Sequence, residues 1–284
     1  MNKLFGALLI VISATSFGTL AILGRYAYAD GMDTFTILAL RFSFAAALMA
    51  LLLLARREPF PRGRALWQLI GMGAIGYVGQ SYSYLTAIQF ASAGLVALLL
   101  YLYPVFVAVL SAFFLKEKFS PLKLAALALA TLGAALTANP QGGSWTGILF
   151  AVTAAGIYSV YIIVGTGVMR KVSAFQSSTV IFASAGAVYG ALALVNGPQL
   201  PQTGAGWGAV VATVLVATVI PVVTFLWGLQ LIGPTNASML STLEPIVTVL
   251  LAAWLFAEAL PFMTLAGGAL ILLAVLLLAR SELT

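Results

Sequence analysis

Apolar runs of about twenty residues recur along the whole chain, separated by short polar, glycine-bearing or proline-bearing stretches. They fall at 4–24, 34–55, 66–87, 91–114, 121–138, 146–167, 175–195, 207–229, 235–256 and 262–279. As helices rising about 1.5 Å per residue, such runs are long enough to cross roughly 30 Å of hydrocarbon. A helix also satisfies its own backbone groups where no water is present to do so. The pattern predicts an all-α polytopic membrane protein with ten transmembrane helices. The connections are too short to house a soluble domain, which leaves function to the helices.

Composition agrees, because 62% hydrophobic and 7% charged residues provide too little polar surface for a water-soluble globule of 284 residues. The absence of Cys and His excludes thiol chemistry, disulfides and histidine-centred metal sites. The seven carboxylates are scattered, and no Gly-rich phosphate loop leads into Lys-Ser or Lys-Thr. No cofactor, metal or ATP-driven motor is expected, and no nucleophile–base constellation suggests an enzyme.

Charge placement sets the orientation, because Lys and Arg are retained on the cytoplasmic side of short loops. With the N-terminus inside, Lys3, Arg56, Arg57, Arg62, Arg64, Lys116, Lys118, Lys123, Arg170, Lys171 and Arg280 are cytoplasmic, eleven of the thirteen basic residues. Arg25 falls in an outer loop and Arg41 within the second helix. Both termini are therefore expected in the cytoplasm, and the formal +6 charge reads as a topology device rather than a nucleic-acid surface. The lipid bilayer is the expected large partner.

The second half of the chain aligns with the first at one offset, 141 residues, without a gap. Gly6 meets Gly147, Gln89 meets Gln230, Pro104 meets Pro245 and Glu117 meets Glu258. The segment LYPVFVAVLSAFFLKE (102–117) lies against LEPIVTVLLAAWLFAE (243–258). Residues 1–141 and 142–284 are thus read as two five-helix repeats. An odd helix count gives the second copy the opposite orientation, an arrangement suited to alternating access.

The openings GALLIVISATSFG and GILFAVTAAGIYS, the LRFSFAA segment and the LYP…E and LEP…E blocks resemble the EamA-type carriers of the drug/metabolite transporter superfamily, over essentially the whole chain. The resemblance implies an inner-membrane solute carrier, commonly an exporter of amino acids, related metabolites or amphipathic drugs. Pro104 and Pro245 match the family's mid-helix proline, and Arg41 matches a basic residue early in the second helix. Tyr103 stands where members often place a polar side chain such as Asn, which leaves the ligand chemistry of the first half open.

Among the residues themselves, Glu244 lies about 14 Å into a helix that starts near Thr235, close to the bilayer midplane. A charge there has to face a cavity, a polar neighbour or a proton. Ser241 at i−3 and Thr248 at i+4 share its arc. Three roles compete for Glu244: a polar contact on the solute route, proton coupling, or a structural hydrogen bond between helices. Pro104, Pro245 and Pro221 interrupt helical bonding and either gate or merely shape their helices. Tyr77, Gln80, Ser81 and Tyr84 share one face of the third helix, while Tyr82 points elsewhere. Together with Tyr101, Tyr103, Tyr158 and Tyr161, the tyrosines of that face provide flat apolar area with hydroxyl handles for a solute, or pack helices together. Arg41 is expected to snorkel to the headgroups, near Asp30 and Asp33, with recognition of an anion or a salt bridge as its other possible roles. Small residues at Gly6, Ser13, Gly18, Gly147, Ala155 and Gly156 are read as close helix contacts.

Two functions follow from these features. The first is export or facilitated diffusion of amino acids and similar solutes; the second is efflux of amphipathic organic cations. An intramembrane enzyme and a non-transporting interaction protein stand behind them. Ten helices enclose a route within one chain, so a monomer suffices for transport, and the repeat leaves the oligomeric state open.

Overall fold

Helices dominate the described residues, 2–91, 96, 99–137, 144–256 and 262–283 of this computed structural model, but many of the apolar runs are broken along their length. The first run is two helices, α1 (Asn2–Phe17) and α2 (Leu20–Ala29). They are separated at Gly18 and Thr19, where the Thr19 hydroxyl donates to Ser16 O at 2.7 Å. α3 (Thr34–Ala55) starts on Asp33, whose carboxylate accepts from the Phe35 and Thr36 amides. α4 (Gly63–Gly71) and α5 (Val78–Phe90) are joined through a π-helical turn, Met72–Tyr77. α6 (Tyr103–Leu115) and α7 (Pro121–Thr137) complete the described part of the first half.

The second half begins with α8 (Trp145–Val168) and α9 (Ala174–Asn196), the latter opened by a reciprocal Ser173–Gln176 cap. α10 (Gly204–Val214) continues through a second π-helical turn, Leu215–Val219, into α11 (Ile220–Ile232). α12 (Pro234–Leu240) leads through a 3-10 turn, Ser241–Leu243, into α13 (Glu244–Phe256), and α14 (Phe262–Leu283) follows. Among the described residues, six runs are long and apolar enough to span a membrane: Lys3–Ala29, Thr34–Ala55, Trp145–Val168, Ala174–Asn196, Gly204–Ile232 and Pro234–Leu255. Shorter apolar helices add Tyr103–Leu115, Pro121–Gly133 and Leu265–Leu277. The chain is a polytopic helical membrane protein.

The prolines occupy a different place from the mid-helix kinks expected of them. Pro104, Pro221 and Pro245 each stand second in a helix that restarts, in α6, α11 and α13 respectively. A turn precedes the first, a π-helical turn the second and a 3-10 turn the third. The reason is local: the first turn of a helix has amides without intrahelical partners, so a residue lacking that amide fits there. The predicted fourth run, 91–114, accordingly contains a turn at Tyr101 and Leu102 before α6 begins. Glu258 lies outside the described residues.

The helices associate in pairs: α3 with α9, α7 with α14, α1 with α11, and α5 with α8. Their connections gather at two ends. At one end, Ser173 Oγ donates to Glu58 and Gln176 Nε2 donates to Pro59 O, while Glu117 joins Lys123 and Thr235. At the other, Asp30 and Asp33 accept from the 199–203 segment, and Ser144 N donates to Phe90 O. The first end carries Arg56, Arg57, Lys116, Lys118, Arg170 and Lys171.

Small residues set the closest crossings. A Cβ on Gly6, Gly18 or Gly147 would come within 2.6–2.7 Å of Ile232, Val247 or Ala91 respectively, whereas one on Gly156 meets nothing within 4 Å. The tightest site against backbone is Gly73, in the first π-helical turn, where a Cβ would fall on the Ser184 hydroxyl and the Ile181 backbone of α9. Backbone cannot yield as a side-chain end can. Gly73→Ala is therefore expected to cost about 1–3 kcal/mol, as overpacked cores do. Gly156→Ala should stay within about 0.5 kcal/mol of the parent. Thermal unfolding of the two purified variants in detergent checks the contrast, and equal midpoints would contradict this crossing.

Candidate functional site

Glu244 begins α13, directly after the 3-10 turn, and is half-buried. Its own amide donates to Ser241 O. The Ser241 carbonyl, for which Pro245 has no amide to offer, is thus satisfied by a tighter turn. Among the described residues the carboxylate has no hydrogen-bond or ion-pair partner, and Arg41 is the cation whose field reaches it.

The tyrosines gather around this carboxylate. Tyr77, Tyr84, Tyr101, Tyr103 and Tyr158 all lie within its electrostatic reach, although they come from α5, α6, α8 and the turns beside them. The rings form a continuous chain. Tyr77 meets Tyr161 edge-on at 5.9 Å, Tyr161 stacks on Tyr158 at 6.0 Å, Tyr158 meets Tyr103 at 4.8 Å, and Tyr103 meets Tyr101 at 6.4 Å. Tyr161 is buried between its neighbours, whereas Tyr77, Tyr84 and Tyr158 keep part of their surface open. Gln80 and Ser81 are also half-buried, with Ser81 Oγ 3.4 Å from Gln80 Oε1. Tyr82 is 54% exposed and packs on Phe150, apart from the cluster.

Arg41 does not snorkel. Only 5% exposed, it turns into the protein, where Nε donates to Thr218 Oγ1 at 2.6 Å and Nη2 donates to Ala217 O at 3.1 Å. Its guanidinium also meets the Tyr77 hydroxyl. The π-helical turn makes this possible: Thr218 Oγ1 reaches back to Thr213 O, five residues earlier, at 2.7 Å, and the Ala217 carbonyl accepts from Arg41. A buried guanidinium is stable only where fixed acceptors replace water, and this turn supplies two.

Asp30 and Asp33, expected beside Arg41, are held instead by the loop before α10. The Thr203 hydroxyl foremost, with the Gln202 and Thr203 amides and against some burial, keeps Asp30 below its usual 3.8. For Asp33, burial is opposed and outweighed by hydrogen bonds from Thr36, Gln199 and Phe35, again to a lowered value. Glu58 at the opposite end is lowered chiefly by the Ser173 hydroxyl, with Arg56 adding to it.

Two members of the expected polar stripe serve the backbone. Ser241 Oγ donates to Ala237 O at 2.9 Å, and Thr248 Oγ1 donates to Gly18 O at 3.0 Å and lies 3.2 Å from Glu244 O. Thr248 thereby fastens α13 to the break between α1 and α2. Hydroxyls on helices find nearby carbonyls more readily than a distant ligand, which explains both departures. Ser241 keeps one tie to the cluster, through the Tyr103 hydroxyl, which also donates to Ser238 O at 3.2 Å.

Sequence reasoning missed Thr218, Phe42 and Phe225. Phe42 meets Tyr77 at 5.0 Å and stacks on Tyr189 at 5.8 Å, while Phe225 stacks on Tyr158 at 6.4 Å. Nothing in the local pattern distinguishes these residues from other apolar helix positions. Thr218 sits 177 positions from the arginine it binds.

The sequence profile of the EamA-like transporter family matches the chain twice, over residues 4–139 and again over 145–280. A protein of Archaeoglobus fulgidus described as an uncharacterized transporter is 29% identical over 275 residues, 96% of each chain. A second from the same organism, described in the same words, is 24% identical over 259 residues, 88% of this chain and 90% of its own. A solved crystal structure that is 23% identical superposes with a TM-score of 0.83 over 98% of this chain and 99% of its own, a likeness of fold.

Proposed function

The chain belongs to the EamA-like transporter family, which makes it a membrane transporter, and from that premise we propose that it exports amino acids and related small metabolites, or lets them diffuse, through a central alternating-access site. The observation that carries this reading is the half-buried Glu244 carboxylate among tyrosines, with the Arg41 guanidinium as its countercharge. A zwitterion presents both complementary charges. Its ammonium pairs with Glu244 and is flanked by aromatic faces, and its carboxylate turns toward Arg41.

The proposed architecture is ten helices in two inverted repeats, 1–141 and 142–284. The two profile matches start 141 residues apart and support it. So does the pairing: carried over by that offset, the α1–α11 pair corresponds to the α8–α5 pair, and the α3–α9 pair maps onto itself. The ends support inversion too, since the 30–36 segment and its counterpart, 171–177, make their hydrogen bonds at opposite ends. The end rich in Lys and Arg faces the cytoplasm of a cell inner membrane in this reading, with both termini inside.

Equilibrium counterflow in proteoliposomes tests the substrate. Labelled methionine or threonine is exchanged in the presence of unlabelled amino acids or aromatic organic cations. Accelerated exchange competed by amino acids is the expected result. Saturable movement of the cations without amino-acid exchange would instead assign the site to efflux of amphipathic organic cations, for which the acid and the aromatic faces suffice.

A further inference from the structure

A recess of about 270 Å³ opens at the basic end of the molecule, away from Glu244. Both halves of the sequence build it, from the end of α6, the end of α8 and the connection between α11 and α12. Leu115 supplies accessible apolar wall, Leu229 being fully buried, and Glu117, Thr166, Arg170 and Gln230 supply the polar positions. Two of these four are already occupied. Glu117 receives Lys123 Nζ and the Thr235 hydroxyl on its two oxygens, and Thr166 Oγ1 donates to Ile162 O at 3.0 Å. The other two are open: among the described residues neither the exposed Arg170 guanidinium nor the exposed Gln230 amide has a hydrogen-bond or ion-pair partner. With the local acid already neutralised by Lys123, the recess offers a planar cation and an amide donor beside a small apolar wall.

We propose that this recess is a second solute site, a vestibule that takes the carboxylate of a small amphiphilic acid or amino acid on Arg170 and Gln230 while its apolar part rests on Leu115. The guanidinium fork matches a carboxylate bidentately, which a lysine in its place would not do. The volume suits a metabolite, since it lies just below the roughly 300–1,000 Å³ of pockets that enclose drug-sized ligands. Lys116, Lys118 and Lys171 flank these positions in sequence and raise the local concentration of anions. A lipid phosphate offers the same oxygens, and the test separates the two sources. As a station on a transport route the vestibule rests on the function proposed above; as a binding site it stands on its own geometry.

The probe is N-acetylmethionine, which keeps the carboxylate and the apolar side chain but lacks the ammonium that Glu244 would bind. Saturation-transfer NMR titration of the full chain in phosphatidylcholine nanodiscs is expected to show saturable binding. Arg170→Gln should weaken it at least about tenfold, the loss of a charge-assisted pair. Gln230→Leu should weaken it less, Lys171→Gln only slightly through the lost local charge, and Glu244→Gln should leave it unchanged. Binding that is unaltered in both Arg170→Gln and Gln230→Leu, or that disappears in Glu244→Gln, overturns the proposal. Displacement of the probe when phosphatidylglycerol is added assigns the recess to lipid and also overturns it. Probe binding without methionine counterflow would retain the vestibule and remove the amino-acid route; counterflow without Arg170-dependent binding would do the reverse.

Discussion

Glu244→Gln is expected to reduce methionine exchange about 10- to 100-fold at subsaturating solute while leaving the protein folded. The substitution keeps side-chain volume and removes only the charge. In the proposed bound state that charge meets an ammonium in a site lined by tyrosines, and a hydrogen bond to a charged group is worth about 1.5–3 kcal/mol. At about 1.4 kcal/mol per tenfold, this sets the range. Folding is spared because the carboxylate has no hydrogen-bond or ion-pair partner among the described residues. Counterflow of the purified variant beside the parent, with thermal midpoints in detergent, measures both parts. Parental exchange in Glu244→Gln would remove the carboxylate from the solute route. Normal exchange with loss of pH-driven accumulation would reassign it to proton coupling.

The second large effect belongs to Arg41 and acts on stability first. Its guanidinium joins α3 of the first half to the π-helical turn of the second through Thr218 and Ala217. Arg41→Leu removes two charge-assisted bonds and strands the Ala217 carbonyl in a buried site. Each such loss costs about 1–3 kcal/mol, so about 3 kcal/mol in total is expected. Arg41→Lys retains the charge but not the fork, and should recover part of the stability. The prediction is a lower thermal midpoint and a smaller folded yield for Arg41→Leu, with Arg41→Lys between it and the parent. The cycle with Glu244→Gln adds a second readout. If the two charges share a solute, their effects on exchange should combine less than additively. Parental stability in Arg41→Leu would contradict the buried geometry, and strict additivity would contradict a shared solute.

Both predictions depend on residues that sequence reading found but placed differently. Glu244 was visible as an acid within an apolar run, and the tyrosines as repeated aromatic positions with hydroxyls. Arg41 was visible too, but its direction was misjudged, because snorkelling is the default only when a long side chain has no closer acceptors. Ser241 and Thr248 share the predicted arc with Glu244, yet backbone carbonyls at bonding distance claim their hydroxyls.

The amino-acid sequence alone determined that this chain is a helical membrane protein, where its apolar runs fall, and that an acid inside one of them needs a polar surrounding. These properties follow from length, periodicity and the cost of charge in hydrocarbon, all of which are local. Tertiary structure decided where the helices restart, that Arg41 points inward, and that tyrosines from separate helices meet around one carboxylate. It also decided that Glu117 is neutralised while Arg170 and Gln230 remain open. Lys123, which neutralises Glu117, is only six positions away, but Thr218 for Arg41 and Thr235 on the other oxygen of Glu117 lie more than a hundred positions off, and their approach is set by helix packing that no local pattern encodes.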